Sequence, residues 1–497
     1  MSTRDGAASE PDAALVEAVD GLRRRDPLAS AATVFVPWQT RTLLVAAALL
    51  IAGLVVVPGA TVVIVTAAVA LLYLATMVQR VLLFVAGLDD RTILTVSEAE
   101  ARRLADDDLP RYTVLVPAYG EPEVIGQLLE HLGALEYPAD RLEILVLLEA
   151  DDTATVEAAQ AAGVESPMRL ILVPPAEPRT KPKACNYGMQ FATGEIITIY
   201  DAEDIPDPLQ LRRAVVLFRR DPGLACIQAR LAFHNSDQNL LTGWFAAEYG
   251  LWFRYLLPGL ASRRWPVPLG GTSNHLQAKV LAEAGGWDPY NVTEDADLGL
   301  RLARRGYRTG VLESITWEEA NSDAINWIRQ RSRWYKGYLQ SCLVALRRPK
   351  DTLRVIGLRG TIAMTLLLAG TPVAAASNLI FWLVAFIWLL GQPAAIAVAY
   401  PAPVYYMALT SFVIGNVLAL YSTLLGARAG GDSNLLMACL LTPLYWILMA
   451  IAALKGIWQL LVRPSYWEKT VHGLDGMDGE RAGQDHDHES ERAVSPS

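Results

Sequence analysis

Apolar residues occur in a few long blocks along this chain instead of being spread evenly over it. Two blocks, at 42–58 and 61–77, lie near the N-terminus, and two others, at 361–390 and 404–425, lie nearer the C-terminus. A run of about 20 apolar residues is long enough to cross the hydrocarbon core of a bilayer. The pattern therefore predicts an integral membrane protein with transmembrane helices at these four blocks.

Between the second and third blocks lies a region of mixed composition that is long enough for one large domain with its own core. The chain has 497 residues, of which 52% are hydrophobic and 19% are charged, a balance that argues against a purely soluble protein. We divide the chain into an N-terminal segment at 1–40, a transmembrane hairpin at 41–86, a middle domain at 87–346, a transmembrane pair at 347–426, a further segment at 427–474 and an acidic, disordered tail at 475–497.

Basic residues flank the apolar blocks unevenly, and this predicts the orientation of the chain. Arginines precede the first block and follow the second, whereas the turn between them, at Pro58 and Gly59, carries no charge. Basic residues also lead into the third block, and 391–403 beyond it contains none. Because positive charge is retained on the cytoplasmic side, both ends and the middle domain are predicted to lie in the cytoplasm, at the inner cell membrane.

A last apolar stretch, at 435–462, is ambiguous. If Arg428 and Arg463 are both cytoplasmic, the stretch cannot be a single span, and an interfacial or re-entrant helix is expected. Hydropathy alone favours a fifth full span. Both interpretations stay open.

The segment at 240–257 is rich in Trp, Phe and Tyr. Such aromatic density predicts an interfacial helix of the middle domain that lies at the bilayer surface, and a core helix is the alternative.

The middle domain alternates short β-rich runs with helix-like segments, which predicts an α/β fold with a mostly parallel sheet. The predicted strands are at 112–117, 142–148, 168–173, 195–200 and 224–228, and helices are expected at 123–136 and 183–192. In such sheets ligands bind at the carboxyl ends of the strands. Polar residues follow three of these ends, in a group comprising Tyr119, Gly120, Glu121, Glu149, Asp151, Asp152, Asp201, Glu203 and Asp204.

Acidic clusters that converge on one edge raise each other's pKa unless a cation is present, so a divalent metal is expected. Mg²⁺ or Mn²⁺ is usually held by one or two carboxylates together with substrate phosphates, which suits the run Asp201-Ala202-Glu203-Asp204. Lys183, near a probable helix start, adds a cation that could grip a phosphate. The simpler alternative is that these acidic runs are solvated loops.

Two later segments carry further candidate chemistry. Glu294 and Asp295, in the run Thr-Glu-Asp, offer carboxylates suited to a general base. Gln330, Arg333 and Trp334 have helical spacing and would share one face. Arg can bind a diphosphate bidentately, and an indole can stack on a sugar. A surface helix with a buried Trp is the simpler alternative.

In their order along the chain, these residues resemble the motifs of the membrane-embedded family-2 glycosyltransferases, which include cellulose synthase and hyaluronan synthase. That family has a GT-A domain with a first Asp motif, a DxD, a TED and a QxxRW. Here the matching runs are Glu149/Asp151, Asp201 to Asp204, the TED ending at Asp295 and the QxxRW ending at Trp334, within 111–336. Two departures are Glu at the third position of the DxD and the acidic run Glu149-Ala150-Asp151-Asp152.

The resemblance implies a role for each matching position. For the donor and the metal, it assigns the nucleotide site to Tyr119, Glu121 and Glu149 or Asp151, the metal to Asp201 and Glu203, and a donor contact to Lys183. For the reaction, it assigns the base to Asp295, the leaving diphosphate to Arg333, and the acceptor to Gln330, Trp334 and Glu294. A loop that covers the donor site would correspond to 463–470, with Trp467, Lys469 and Thr470 as contacts.

The implied function is an inverting, metal-dependent transferase. It would use a nucleotide sugar, UDP-glucose by default, to extend a β-linked glycan and move it through its own spans. Growing glycan and membrane lipid are the other expected partners, and no nucleic acid is expected. Two alternatives are transfer of a single sugar to a lipid acceptor and, in another class, a transporter or scaffold that only binds a nucleotide. Few charges occur in the spans beyond Arg80, so no ion path is evident.

Overall fold

A computed structural model describes residues 13–429, 435–464 and Tyr466. The helices, numbered in chain order, are α1 Ala13–Arg25, α2 Pro37–Val56, α3 Pro58–Gly87, α4 Glu98–Arg103, α5 Ile125–Gly133, α6 Thr153–Ala161, α7 Lys181–Met189, α8 Gln210–Arg220, α9 Leu240–Leu251, α10 Leu257–Ser262, α11 Ala278–Ala284, α12 Glu294–Arg304, α13 Ala324–Ala345, α14 Pro349–Thr365, α15 Thr371–Gly391, α16 Ala394–Ala399, α17 Ala402–Thr410, α18 Asn416–Ala429, α19 Leu436–Leu440 and α20 Thr442–Val462. Short π-helical turns join α9 to α10, α14 to α15, and α17 to α18.

The middle domain is built on one eight-stranded sheet. Its strands are β1 Tyr112–Ala118, β2 Leu142–Glu149, β3 Met168–Val173, β4 Ile196–Ile199, β5 Ile205–Pro206, β6 Leu224–Phe233, β7 Asn274–Gln277 and β8 Arg308–Glu318. The order is β3-β2-β1-β4-β7-β6-β8-β5. β1 to β4 are mutually parallel, and β6 is parallel to β8, whereas β7 and β5 run antiparallel to their neighbours. The mostly parallel α/β sheet is confirmed, and the five predicted strands match β1, β2, β3, β4 and β6.

β1 and β2 are buried along nearly their whole length because helices cover both faces of the sheet. Two apolar clusters result, one on each face. Leu115, Leu145 and Ile199 belong to one cluster, and Val114 and Val146 to the other. This division arises because successive side chains of a strand point to opposite faces. Because β1, β2 and β4 are parallel, their carboxyl ends lie at one rim.

In the described part of the chain, five helices are long and apolar enough to cross a membrane: Pro37–Val56, Pro58–Gly87, Pro349–Gly391, Ala402–Ala429 and Thr442–Val462. The first two are separated by Val57 alone, at the predicted uncharged turn. The third combines α14 and α15 and is broken at Gly357, whose φ of 71° is a conformation that glycine adopts without strain. Three of the four predicted blocks fall within these helices, and the first block, 42–58, runs two residues past the end of α2 at Val56.

The last of these helices, α20, lies along α13 of the middle domain. Gly456 of α20 packs so closely on α13 that an added Cβ would lie 2.7 Å from the carbonyl oxygen of Ser332. Near the start of α20, the ring of Tyr445 lies 4.9 Å from that of Trp327, and beyond its end Lys336 bonds to the carbonyl of Tyr466. Both ends of α20 therefore contact the middle domain.

The aromatic segment at 240–257, which the sequence suggested for the bilayer surface, is packed inside the protein. Trp244, Phe245 and Phe253 are buried. The ring of Phe245 lies 4.6 Å from Phe233 of β6, and the indole of Trp244 donates to the carbonyl of Ala438 at 2.7 Å. This segment therefore joins the sheet to the C-terminal helices. It is packed as the core helix of the alternative interpretation.

Candidate active site

One cavity of about 870 Å³ runs along the carboxyl rim of the sheet and continues between the candidate spans. From the rim it is lined by Tyr119, Glu121, Glu149, Arg179, Lys181, Asp201 and Glu203. From the TED and QxxRW motifs it is lined by Glu294, Asp295, Gln330, Arg333 and Trp334. Among the sequence-predicted site residues that the structure describes, Asp151 and Lys183 do not line it.

Asp201 lies just after β4, where it pairs with the cation Lys181. Gly271 separates Asp201 from Asp295 of the TED motif. The ammonium of Lys181, at the start of α7, pairs with the Asp201 carboxylate and donates to the carbonyl oxygen of Gly271 at 2.7 Å. A Cβ added to Gly271 would lie 3.6 Å from Asp295 Oδ2 and 3.9 Å from Asp201 Oδ2. The metal candidate and the base candidate therefore face each other across a residue without a side chain.

Two further carboxylates stand behind Asp201. Asp204 is fully buried, receives the backbone N–H of Asp201 at 2.7 Å and the hydroxyl of Thr272, and burial raises its pKa well above the usual range. Glu318, at the end of β8, has its pKa raised well above the usual range by burial and by the charges of Asp204, Glu203 and Asp201. Sequence reasoning missed Glu318 because its strand follows Asp201 by more than a hundred residues.

This arrangement fits a divalent cation. Within the described ranges no group of three or more His, Cys, Asp or Glu side chains forms a complete metal cage. Mg²⁺, however, commonly takes only one or two protein carboxylates and completes its shell with phosphates and water. Asp204 Oδ1 is buried without a hydrogen-bond partner among the described residues, so an unsatisfied acceptor oxygen lies beside the site. Asp201 and Glu203, which both line the cavity, are the residues that would hold the ion.

The structure separates the roles of two nearby lysines. Lys183 is fully buried beneath the cavity, and its ammonium lies 2.7 Å from a carboxylate oxygen of Glu149. It also reaches the carbonyl oxygens of Pro174 and Ala176, each at 3.4 Å. Lys183 therefore holds the loop after β3 and the Glu149 carboxylate. The lysine that lines the cavity is Lys181.

Near Tyr119, the cavity contains a cation, Arg179, that the sequence analysis overlooked. Arg179 pairs with Asp151 at 2.8 Å and lines the cavity beside Tyr119. A hydrogen bond with Tyr119, and then the charge of Asp151, raises the pKa of Arg179. Glu121 enters from the loop after β1, where its N–H donates to Thr155 at 3.1 Å. Asp151 thus contributes by holding Arg179.

Glu294 and Asp295 form the first turn of α12. Burial raises the pKa of Asp295 to about 6 and that of Glu294 to about 8, and Lys181 and Arg333 oppose both shifts. A carboxylate with a pKa near neutrality is suited to accept a proton. The preceding loop is fixed by α13, because a Cβ on Gly337 would lie 2.4 Å from Thr293 and Gln340 receives the N–H of Val292 at 3.3 Å.

On α13, Gln330, Arg333 and Trp334 line the cavity together, as their helical spacing predicts. Gln330 receives a hydrogen bond from Asn321 at 2.9 Å. The Trp334 ring stacks at 6.3 Å on Tyr249. Trp334 therefore has one packed side and contributes another part of its surface to the cavity.

Arg331, between these residues, links α13 to α9 and to the C-terminal helix α20. Its guanidinium binds both carboxylate oxygens of Glu248, at 2.9 and 2.6 Å, and lies 4.6 Å from the Trp334 ring centroid. Tyr445 of α20 donates to the same carboxylate at 2.7 Å. Helices α9, α13 and α20 are joined at this point.

The membrane end of the cavity is lined by α3, α15, α18 and α20. Tyr73, Asn378, Asn416 and Ser422 are among the polar side chains there. Arg80 is the one charged side chain that the candidate spans contribute to this lining in the part of the chain described. Trp467, Lys469 and Thr470, predicted as loop contacts, lie outside the described residues, as does the tail at 475–497.

A sheet of this topology, with its acidic rim, TED and QxxRW around one cavity, defines a GT-A-type glycosyltransferase domain inserted between membrane helices. Residues 110–337 match the family model described as "Glycosyltransferase like family 2". The chain therefore carries a domain that belongs to glycosyltransferase family 2.

Proteins similar to this domain include a glycolipid synthase and a cellulose synthase subunit. Residues of this chain are 29% identical over 237 positions to the probable glycosyltransferase YdaM of Bacillus subtilis, covering 46% of this chain and 56% of that protein. They are 28% identical to a beta-monoglucosyldiacylglycerol synthase of Synechocystis, covering 47% and 49%. They are also 28% identical to the UDP-forming cellulose synthase 1 catalytic subunit of Komagataeibacter xylinus, covering 47% and 31%. The chain thus spans about half, or less, of the length of these relatives.

Proposed function

We propose that this protein is an inverting, metal-dependent glycosyltransferase of the inner membrane that extends a β-linked polysaccharide from a nucleotide-sugar donor. The observation that carries the proposal is the continuity of one cavity from Asp201, past Asp295 and Trp334, to the candidate spans. Such a cavity can hold a donor at one end and a chain of acceptor sugars along its length. UDP-glucose is the first donor to test. In this proposal the catalytic domain is cytoplasmic and α20 lies at the membrane surface, because both of its ends contact that domain.

The chemistry is a single displacement at the anomeric carbon. An acceptor hydroxyl, whose proton passes to Asp295, forms the new C–O bond while the bond to the donor diphosphate breaks. Arg333 and Lys181 stabilise the charge that develops on the departing diphosphate. Attack from the face opposite the leaving group inverts the configuration. Trp334 and Gln330 hold the terminal acceptor sugar near Asp295, and such positioning contributes several kcal/mol to lowering the barrier.

Asp201 and Glu203 would hold Mg²⁺ or Mn²⁺. When bound, the ion supplies charge neutralisation for the diphosphate leaving group. The chain's own part is to direct Asp201 into the cavity. It does so through the buried Asp204, which accepts the Asp201 N–H, and through Gly271, which leaves room between Asp201 and Asp295.

The test is a product assay on the purified protein in lipid nanodiscs. Radiolabelled UDP-glucose is supplied with Mg²⁺ or Mn²⁺, and polymer, lipid and free sugar are separated. We expect label in polymer that a β-glucanase digests, and none with EDTA or with Asp295→Asn as the matched control. Full activity in EDTA would contradict the proposed requirement for a divalent metal. Donor binding without any sugar transfer would favour the transporter or scaffold alternative.

A second candidate, transfer of one sugar to a lipid acceptor, is favoured by Arg80. The helix α3 has 30 residues and is about 45 Å long, whereas the hydrocarbon core is about 30 Å thick. Arg80 is seven residues from the end of α3 at Gly87, which corresponds to the headgroup level of the cytoplasmic leaflet. A lipid headgroup could therefore enter the cavity there. Label confined to the lipid fraction in the same assay would select this candidate.

A further inference from the structure

The segment before the first membrane helix is bound tightly to the catalytic domain. Arg347, which is buried between α13 and α14, donates to the carbonyl oxygens of Leu28, Ser30, Thr33 and Val34. Arg348 binds both carboxylate oxygens of Asp26, at 3.0 and 3.1 Å. Because a guanidinium with several carbonyl partners fixes backbone geometry, residues 26–34 are an ordered strap.

The strap is anchored on a buried carboxylate, Asp288. Ser30 Oγ donates to Asp288 Oδ1 at 3.0 Å, and the N–H of Ala31 donates to Oδ2 at 2.5 Å. Tyr290 N–H adds a third hydrogen bond at 3.2 Å. Asp288 is fully buried, so its oxygens depend on these donors for solvation.

The helix before the strap, α1, is attached to the same region through Asn186 of α7. The Asn186 amide donates to the carbonyl oxygens of Ala18 at 3.0 Å and Trp287 at 2.8 Å, and its oxygen receives the Trp287 N–H at 3.0 Å. A Cβ on Gly286 would lie 2.3 Å from this amide oxygen, so only glycine fits at this position of the turn. One side chain thus joins α1, α7 and the turn at 285–291.

The two elements that the strap and α1 contact, the turn and α7, both lead directly to the active site. The turn at 285–291 runs into α12, which carries Asp295, and α7 begins with Lys181, which pairs with Asp201. The turn is held from its other side by Arg301, which donates to the carbonyl of Gly286 at 2.9 Å and pairs with Asp297. The strap and α1 together therefore contact both the turn that leads to Asp295 and the helix that carries Lys181.

We propose that the strap at 26–34, together with α1 before it, sets Asp295 against Asp201, with Asp288 and Asn186 as the positioning residues. The strap leads directly into α2 at Pro37, and Gln39 of α2 donates to the carbonyl oxygen of Leu343 at 2.8 Å. The position of Asp295 consequently depends on how the first candidate membrane helix, α2, packs against the domain. This inference does not depend on whether the acceptor is a glycan or a lipid.

The experiment measures kcat and KM separately for Asp288→Ala in the full-length protein in nanodiscs. Asp295 would lose its alignment while the donor site at Tyr119 and Arg179 is unaffected. We expect kcat to fall tenfold or more and KM for the donor to change less than about twofold, since small misplacements of a reacting group cost orders of magnitude in rate. Asp288→Asn keeps the shape and one acceptor oxygen, but its NH2 would face a backbone N–H of Ala31 or Tyr290, so it should recover only part of kcat.

The matched control is Glu143→Ala. Glu143 also accepts three hydrogen bonds, from Thr113 Oγ1 and from the N–H and hydroxyl of Thr193, at the opposite rim of the sheet. We expect it to lower the unfolding midpoint without lowering kcat per donor-binding site. If Asp288→Ala fails to fold, Ser30→Ala replaces it, with a smaller loss of kcat expected.

A double variant of Asp288 and Arg347 separates positioning from general stability. If both residues act through the strap, Asp288→Ala combined with Arg347→Ala loses no more kcat than the worse single variant. Unchanged kcat in folded Asp288→Ala, or a rise of KM that accounts for the whole effect, would overturn the inference. Failure of the proposed function would appear differently, as a change in which product the wild-type protein makes.

Discussion

Lys181 and Asp201 form an ion pair in the cavity, where we propose that the donor binds, and the same ammonium also binds the carbonyl oxygen of Gly271 at 2.7 Å. Asp201 is the carboxylate that we propose for the metal. The lysine therefore occupies the position of a counter-ion beside the acidic group formed with Asp204 and Glu318. A divalent ion that arrives without a donor meets a carboxylate already neutralised by Lys181, whereas donor phosphates offer the ammonium another partner.

This pairing predicts the behaviour of Lys181→Gln. We expect Mn²⁺ to bind the donor-free variant about tenfold more tightly than the wild type, because a positive charge next to the ion has been removed. Sugar transfer should fall, since the diphosphate loses a cation. Titration of free Mn²⁺ by electron paramagnetic resonance measures the first effect. Arg179→Gln, which removes a cavity cation paired with Asp151, is the control, and equal Mn²⁺ affinity for all three proteins would contradict this role of Lys181.

Asp295 predicts the acid limb of the pH profile. Burial raises its pKa to about 6, and only its ionised form can take the acceptor proton, so kcat should fall as pH drops below about 6. Asp295→Asn should lose transfer and retain donor binding, because the amide keeps the shape without the basicity. Rate profiles and calorimetric donor binding check the two statements. Substantial turnover by the amide variant would remove Asp295 from the role of base.

Trp334 and Arg333 should differ in what their loss does. Trp334→Ala is expected to make little long product and still release nucleotide from the donor, because acceptor stacking is lost while leaving-group stabilisation remains. Arg333→Ala should lose both activities. Since Trp334 also packs on Tyr249, Trp334→Phe controls for packing. Product length by gel filtration and free nucleotide by chromatography are the measurements, and normal product length in Trp334→Ala would show that the indole only packs the helix.

The pair of Glu248 and Arg331 predicts a stability effect. Glu248→Leu leaves the guanidinium buried without its carboxylate, and loss of one partner of a buried pair costs about 3–5 kcal/mol. The double variant with Arg331→Leu should be less destabilised than Glu248→Leu alone. Thermal unfolding midpoints of the two variants in one detergent decide this. A double variant less stable than either single variant would mean that the pair is held by more than charge.

Much of the fold followed from local patterns. The strands from β1 to β4 and β6 consist of apolar β-formers followed by polar residues, and a buried parallel sheet needs such runs. β7 was missed because four residues reading Asn-His-Leu-Gln have no apolar alternation, and they become a strand only by lying between β4 and β6. The spacing of Gln330, Arg333 and Trp334 likewise predicted one cavity-lining face, since helical phase is a local property.

The sequence by itself determined the order of the motifs, the membrane helices and the carboxylates at the strand ends, because each depends on neighbours only a few residues apart. Tertiary structure decided which of two lysines faces the cavity: residues two apart on a helix point about 200° away from each other, and only packing chooses the side. It also brought Glu318 beside Asp201, and Asp288 beside Ser30, from distant parts of the chain. Such contacts carry no local signal, since they form only when the sheet and its covering helices close around them.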